Sequence, residues 1–300
     1  MPENQVIHER YEILNVLGKG AFSTVYRVYD KNASRHVAMK VLNPHENASG
    51  HNEIKHLRGI KDNRIITLYD SFTYASQMYI IMDELLCNLY TLGRNYPKGL
   101  PEKLLYRMMK HTLEGTAYLH SKGVIHADIK PENILLDKNA NFKLCDFGSA
   151  CTKTSRHQQN EIQTLNYRSV EIIMGNTTYT ETIDIWSLAC VYYELATGKP
   201  LFNPHPEHPA SLEEVHVAQI TELMGPLPKE LIFSSESRLA ERIFNLETGE
   251  LKHAVKSKSQ NIGGLGGIRG IRGRVGDMIH HMLNLSHRDR MAAQDLLRLL

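Results

Sequence analysis

Between His126 and Asn133 the chain reads His-Ala-Asp-Ile-Lys-Pro-Glu-Asn, and eighteen residues beyond its aspartate stands Asp146-Phe147-Gly148. These residue types in this order suit phosphoryl transfer, which asks little covalent chemistry of a protein and depends on placing charge around phosphates. Asp128 can accept or orient the proton of an attacking hydroxyl. Lys130 can follow the transferred phosphate, and Asn133 with Asp146 supplies oxygen ligands for magnesium. The bland alternative is a polar loop followed by an unrelated Asp-Phe-Gly turn. Two motifs in order at this separation argue against it.

Upstream, Gly18-Lys19-Gly20-Ala21-Phe22-Ser23-Thr24-Val25 follows Leu17 and lies between two strand patterns. Glycines there let backbone amides approach phosphate oxygens and permit positive φ angles. A dinucleotide-binding unit would need a helix after the turn, which the resuming strand excludes. Alone the pattern is weak, since Ser23 stands at its third glycine position. It gains weight from Ala38-Met39-Lys40, with Lys40 fifteen residues past Val25. Lys40 is the candidate for binding the α- and β-phosphates, and Glu53, thirteen residues on, its ion-pair partner. In isolation these would read as a surface lysine and a solvated glutamate. Met82 is expected behind the adenine, with Asp83, Glu84 and Leu85 as the connecting backbone. The cofactors implied are ATP and Mg2+.

With 300 residues and 42% apolar side chains, a sizeable core is available. Thirty-five Lys and Arg against thirty-three Asp and Glu leave +2, which argues against a dedicated nucleic-acid or membrane binder. Cys87, Cys145, Cys151 and Cys190 form no C-x-x-C pair, so a reduced intracellular setting is expected. The start shows no signal-peptide pattern, and no run of about 18 apolar residues could span a bilayer. A cytoplasmic or nuclear location and a monomer are the expectations.

Alternation and β-branched content predict strands over residues 11–17, 24–30, 37–41, 65–68 and 78–82. The polar stretch 44–50 breaks the pattern, and Ile54, Leu57 and Ile60 predict an amphipathic helix over 52–60. From Leu89 the period turns helical, clearest over 104–120 and 184–197. The fold class is therefore α+β. Residues 1–86 form a small antiparallel sheet with one main helix, and residues 87–300 a larger helical lobe. Residues 263–276 hold seven glycines and predict a loop.

These motifs resemble those of eukaryotic protein kinases over a domain of about residues 11–298. Within the CMGC group of Ser/Thr kinases the chain is most similar to the SR-protein kinases. The resemblance rests on Gly20-x-Phe22-Ser23-Thr24-Val25, Glu53-Ile54-Lys55, Asn95-Tyr96 and Asp128-Ile129-Lys130-Pro131-Glu132-Asn133. It continues in Ile162-Gln163-Thr164, Tyr167-Arg168-Ser169 with Glu171, Glu222-Leu223-Met224-Gly225 and Leu251-Lys252-His253. It implies phosphorylation of serines in basic, Arg-Ser-rich proteins such as splicing factors. It also implies that Thr164 bridges Asp128 and Lys130, that Glu171 pairs with Arg290, and that Asp184 holds the catalytic-loop backbone. Arg168 is implied to shape the pocket after the target serine.

Departures qualify that reading. Where these kinases carry an acidic docking groove, this chain has Lys199 and Val215, with Glu222 remaining and Glu213 and Glu214 beside it as possible compensation. A weakened or relocated docking site is the expectation. Ala127 replaces the arginine that usually pairs an activation-segment phosphate, so activity is expected not to depend on phosphate at Thr152, Thr154 or Ser155. Another CMGC branch, homeodomain-interacting, pre-mRNA-processing or proline-directed, is the competing assignment. A binding scaffold without activity is the alternative of another class, and the presence of Lys40, Glu53, Asp128, Asn133 and Asp146 argues against it.

Overall fold

The computed structural model describes residues 3–152, 162–255, 264–269, 271 and 273–300. Strands β1 (Val6–Ile7), β2 (Tyr11–Lys19), β3 (Ser23–Asp30), β4 (Arg35–Leu42), β5 (Leu68–Tyr74) and β6 (Gln77–Met82) form an antiparallel sheet in the order β1-β2-β3-β4-β6-β5. Helix α1 (Asn47–Leu57) lies between β4 and β5 in the chain and packs on β5 and β6.

Successive side chains on a strand face opposite ways, and the two faces of this sheet serve different cores. Val37, Met39, Val41, Tyr79 and Ile81 bury on one face with Tyr11, Ile13 and Val28. Ala38, Leu42, Met78, Ile80 and Met82 bury on the other with Ile54 and Leu57 of α1. Lys40 has the parity of the second set, and so projects toward α1.

Two expectations are corrected here. The strand expected over 65–68 begins at Leu68; Ile65 makes only an isolated bridge to Leu144, and Ile66 N–H donates to the Leu144 carbonyl. Helix α1 starts at Asn47, inside the stretch read as a break, and ends at Leu57. Pro44 opens a 3-10 turn over Pro44–Glu46 that feeds directly into the helix. Gly50 is tolerated inside the helix because a Cβ there would collide with Leu42 and Met78. Polarity marked the exposed side of this first turn, and the packing of Gly50 was invisible in the pattern.

Strand β7 (Cys87–Asn88) leads into α2 (Leu89–Arg94) and the long α3 (Glu102–Ser121). Short strands β8 (Val124–Ile125), β9 (Ile134–Leu136), β10 (Phe142–Leu144) and β11 (Cys151–Thr152) follow, pairing as β10-β9-β7 and β11-β8. Then come α4 (Val170–Ile173), α5 (Thr182–Thr197), α6 (Leu212–Met224), α7 (Lys229–Ile232), α8 (Ala240–Ile243), α9 (Gly264–Arg269), α10 (Arg274–Met282) and α11 (Ala293–Leu297). Helix α5 is apolar around nearly its whole circumference, with Trp186 and Tyr192 fully buried, as a central core helix must be. It packs against α3 and α10, and Gly198 ends it in the left-handed region at φ 77°.

The glycine-rich stretch is corrected in part: α9 and the start of α10 occupy it, while Gly263, Gly270 and Arg272 lie outside the described residues. Buried Ile268 docks α9 onto the main core, and that tertiary burial outweighs glycine's poor helix propensity. Among the described residues no helix is long and apolar enough to cross a membrane.

Candidate active site

The chain reversal after β8 carries Asp128, and α5 holds it in place. Asp184, fully buried, accepts hydrogen bonds from the backbone N–H of His126 and of Ala127, both at 2.9 Å, and lies 2.9 Å from His120 Nε2. Ala127 adopts φ 61°, a conformation costly for a residue with a Cβ and held here by these bonds. His126 Nδ1 accepts from Asp128 N–H, which leaves Nε2 to donate to the Cys145 carbonyl at 3.0 Å. Catalytic loop and Asp-Phe-Gly turn are thereby tied together.

Around Asp128 the candidate residues converge. Thr164 donates its hydroxyl to Asp128 Oδ1 at 2.8 Å, and Lys130 Nζ reaches both Asp128 Oδ2 at 2.8 Å and Thr164 Oγ1 at 2.9 Å. Asn133 Nδ2 donates to the Asp128 carbonyl at 2.8 Å and to Oδ2 at 3.2 Å, which turns its amide oxygen the other way. One carboxylate is thus fixed by a hydroxyl, an ammonium and an amide.

The second cluster spans the sheet, α1 and the turn after β10. Lys40 Nζ contacts Glu53 Oε2 at 2.7 Å and Asp146 Oδ1 at 3.0 Å. Burial opposes the Lys40 charge, but Glu53 and Asp146 outweigh it and hold the ammonium above its ordinary range. Burial likewise opposes ionised Asp146, and Lys40 more than offsets this, keeping the carboxyl below its usual value. Asp146 sits at φ 63° with a 44% exposed side chain, so it stays ionised and open to a ligand. Asn52, the residue before Glu53, donates Nδ2 to the carbonyls of Gly148 and Ala150 at 3.0 and 2.7 Å. Helix α1 therefore grips the turn as well as Lys40. Sequence reading missed Asn52, which nothing in the pattern distinguishes from a solvated residue.

The donor set fits Mg2+-ATP. A half-exposed carboxylate and an amide oxygen are hard oxygen donors of the kind magnesium takes. Gly18 and Gly20 are not in the left-handed region, so conformational freedom is not why they are glycines. A Cβ at Gly18 would meet no protein atom within 4 Å, so the protein's own packing does not exclude a side chain there. Close approach of a ligand is the remaining reason.

Leu17, Gly18 and Lys19 end β2, Ala21 and Phe22 form the exposed hairpin tip, and Ser23, Thr24 and Val25 begin β3. Ala38 pairs with Met82 across β4 and β6, and both are buried. Leu85 packs at the edge of the main core. The Asp83 side chain is engaged elsewhere, accepting from Lys143 at 2.7 Å, Tyr69 at 2.6 Å and Thr67 N–H at 3.1 Å. Its backbone N–H donates to the Thr67 carbonyl at 3.3 Å, so only its carbonyl remains for a nucleotide.

On the substrate side, Glu171 and Arg290 form a fully buried bidentate pair, with oxygen to nitrogen distances of 2.7 and 3.0 Å. Burial pushes the Glu171 carboxyl up, yet the guanidinium wins and holds it below its ordinary range. Arg290 also donates to the carbonyls of Thr182 and Asn284, which satisfies its remaining donors. Arg168 donates to the Gln163 carbonyl at 3.0 Å. Gln163, read in the sequence only as part of Ile162-Gln163-Thr164 and given no role there, is a hub. Its amide donates to Ile183 O and Ser187 Oγ and accepts from Ser169, while its backbone N–H meets Ala127 O. The signal for it was its place directly before Thr164.

The acidic compensation expected of Glu213 and Glu214 is corrected at Glu214, while Glu213 stays partly exposed. Glu214 is buried, closes a capping box with Ser211 on α6, and accepts from His253 N–H and Nδ1, both at 3.0 Å. It serves structure, and it accounts for His253 in the Leu-Lys-His motif. Val215 is fully buried, while Lys199 is exposed.

Comparison with known proteins agrees with this geometry. The family model of the protein kinase domain matches residues 11–299. The chain is similar to mitogen-activated protein kinase mpkC of Aspergillus oryzae, with 35% identity over 79% of this chain and 68% of that protein. It is also similar to the probable serine/threonine-protein kinase dyrk2 of Dictyostelium discoideum, with 35% identity over 86% of this chain and 29% of that one. The human dual specificity tyrosine-phosphorylation-regulated kinase 3 is 35% identical over 76% of this chain, which spans 39% of its length. The chain thus covers about two thirds of the first relative and well under half of the others. With the match running nearly end to end, the chain belongs to the protein kinase domain family, as a Ser/Thr kinase of the CMGC type.

Proposed function

We propose that this domain transfers the γ-phosphate of ATP to serines in basic, Arg-Ser-rich protein segments. The observation that carries the transfer is the junction at Asp128: one carboxylate held by Thr164, Lys130 and Asn133. A side chain so fixed can orient a hydroxyl and take its proton without rearranging. Lys130 and Lys40 offset phosphate charge, and Asn133 and Asp146 would hold magnesium, which neutralises charge on the phosphate oxygens. Leu17 through Val25, Ala38, Met82 and the 83–85 backbone would surround the nucleotide. The Lys40–Glu53–Asp146 contacts weigh against an inactive scaffold.

Preference for Arg-Ser segments rests on the motif resemblance, and the Glu214–His253 contact gives one of those motifs a structural role. The docking strip is the weak part, given Lys199 and Val215, so a short Arg-Ser peptide should serve as well as a long one. A second preference, for Ser-Pro, is favoured by the similarity to a mitogen-activated protein kinase. The test is transfer from Mg2+-ATP to Arg-Ser and Ser-Pro peptides, with Asp146→Ala as control, expected to lose about a hundredfold or more in rate. Faster phosphorylation of Arg-Ser, lost in the control, supports the proposal. Faster phosphorylation of Ser-Pro moves the chain to another CMGC branch.

A further inference from the structure

Asn43, exposed between β4 and the 3-10 turn that opens α1, touches the tip of the glycine hairpin at two points. Its Nδ2 donates to the Ala21 carbonyl at 2.7 Å, and its backbone N–H donates to the Phe22 carbonyl at 2.9 Å. In a planar trans peptide the C=O and the following N–H point opposite ways. Drawing the Ala21 and Phe22 carbonyls toward Asn43 therefore turns the N–H groups of Phe22 and Ser23 away from it. The two donors then face the other side of the hairpin, beside Gly20, where an added Cβ would meet only the Ser23 carbonyl oxygen at 3.7 Å.

The conformation of Asn43 is dictated by its neighbour. Proline at position 44 excludes the helical region for the preceding residue, and Asn43 sits extended at φ −65°, ψ 148°. Its carbonyl then accepts from Glu46 N–H at 2.9 Å and starts the turn leading into α1. One residue thus joins the hairpin tip to the helix that bears Glu53 and Asn52.

We infer that Asn43 is a positioning residue for the triphosphate, presetting the Phe22 and Ser23 amides as phosphate donors by anchoring the opposite ends of their peptides. The inference rests on the reading that ATP occupies this cleft. It assigns Asn43 no contact with the nucleotide and no effect on adenine recognition or on peptide binding.

The experiment compares wild type with Asn43→Ala and Asn43→Leu, the latter near in size but without a donor, by calorimetric binding of adenosine and of a non-hydrolysable ATP analogue with Mg2+. The expected result is analogue affinity lowered about three- to tenfold in both variants, as loss of a hydrogen bond predicts, with adenosine affinity unchanged. Pro44→Ala should give a smaller loss in the same direction. In steady state, KM for ATP should rise while KM for peptide stays constant. Equal analogue affinity in variants and wild type would overturn the inference and leave nucleotide binding intact. Equal weakening of adenosine and analogue would overturn it too, by showing a general disturbance of the sheet. Failure of wild type to bind the analogue at all would overturn the ATP reading, and the inference with it.

Discussion

Thr164 donates a hydrogen bond to Asp128 and accepts one from Lys130, so its hydroxyl fixes the distance between the base and the ammonium. Thr164→Val keeps the shape and removes both bonds. We expect kcat to fall about tenfold, the worth of one or two such bonds, with KM for ATP nearly constant. A change confined to KM for ATP would place Thr164 on the nucleotide side instead. The residues of this junction were legible in sequence because their chemistry demands fixed types at fixed spacing. Asn52 was not legible, and Gln163 was legible only as a member of a motif, without its role. Each acts through a side-chain amide on backbone carbonyls or hydroxyls from distant segments, and such partners leave no mark of their own in a sequence.

Between elements, two buried polar contacts carry distinct signatures. Arg290, beyond α10, reaches back to Glu171 on α4, and both are inaccessible to solvent. Arg290→Met would leave a buried carboxylate alone and should cost about 3–5 kcal/mol in chemical unfolding. Adding Glu171→Leu should recover part of that loss, and no recovery would count against the isolated-charge explanation. On α3, His111 Nδ1 accepts from Phe142 N–H of β10 at 3.2 Å. Burial, helped by Arg64, pushes this imidazole down to about 4. Between that value and the unfolded value of about 6.5, the unfolded chain binds the extra proton. Stability from this group is therefore full above the unfolded value, falls with pH across that window and levels off below it. Melting temperatures of His111→Gln should show a shallower slope there than wild type. The element pattern itself was readable where periodicity ran long, as in α3 and α5, and failed where tertiary contact decided. The early start of α1 and the helix through Gly264–Arg269 both depend on packing partners far away in sequence.

At the scale of the whole molecule, a curled sheet and a helical body meet at Lys40, Asp146 and Asp128. That meeting was foreseeable from motifs, and the resemblance also implied the Asp184, Thr164 and Glu171–Arg290 contacts that hold the catalytic segment, while the apolar packing around Ala127 was not foreseen. Ile125, Ala127, Ile162, Ile172, Tyr179 and Ile183 form a separate apolar cluster where a guanidinium at position 127 would otherwise stand. Thr152, the described member of the three candidate phosphorylation sites, lies on β11 and pairs with Val124; Thr154 and Ser155 lie outside the described residues. Phosphatase treatment is expected to leave the turnover rate within about twofold, since no charge-assisted bond to Ala127 is lost. A steep loss would show that another cation serves the segment. An oily contact cannot be written or erased by a modifying enzyme in the way a phosphate can. If turnover survives the phosphatase, control of this catalyst would pass to how much of it is made, how long it lasts and which substrates it is allowed to meet.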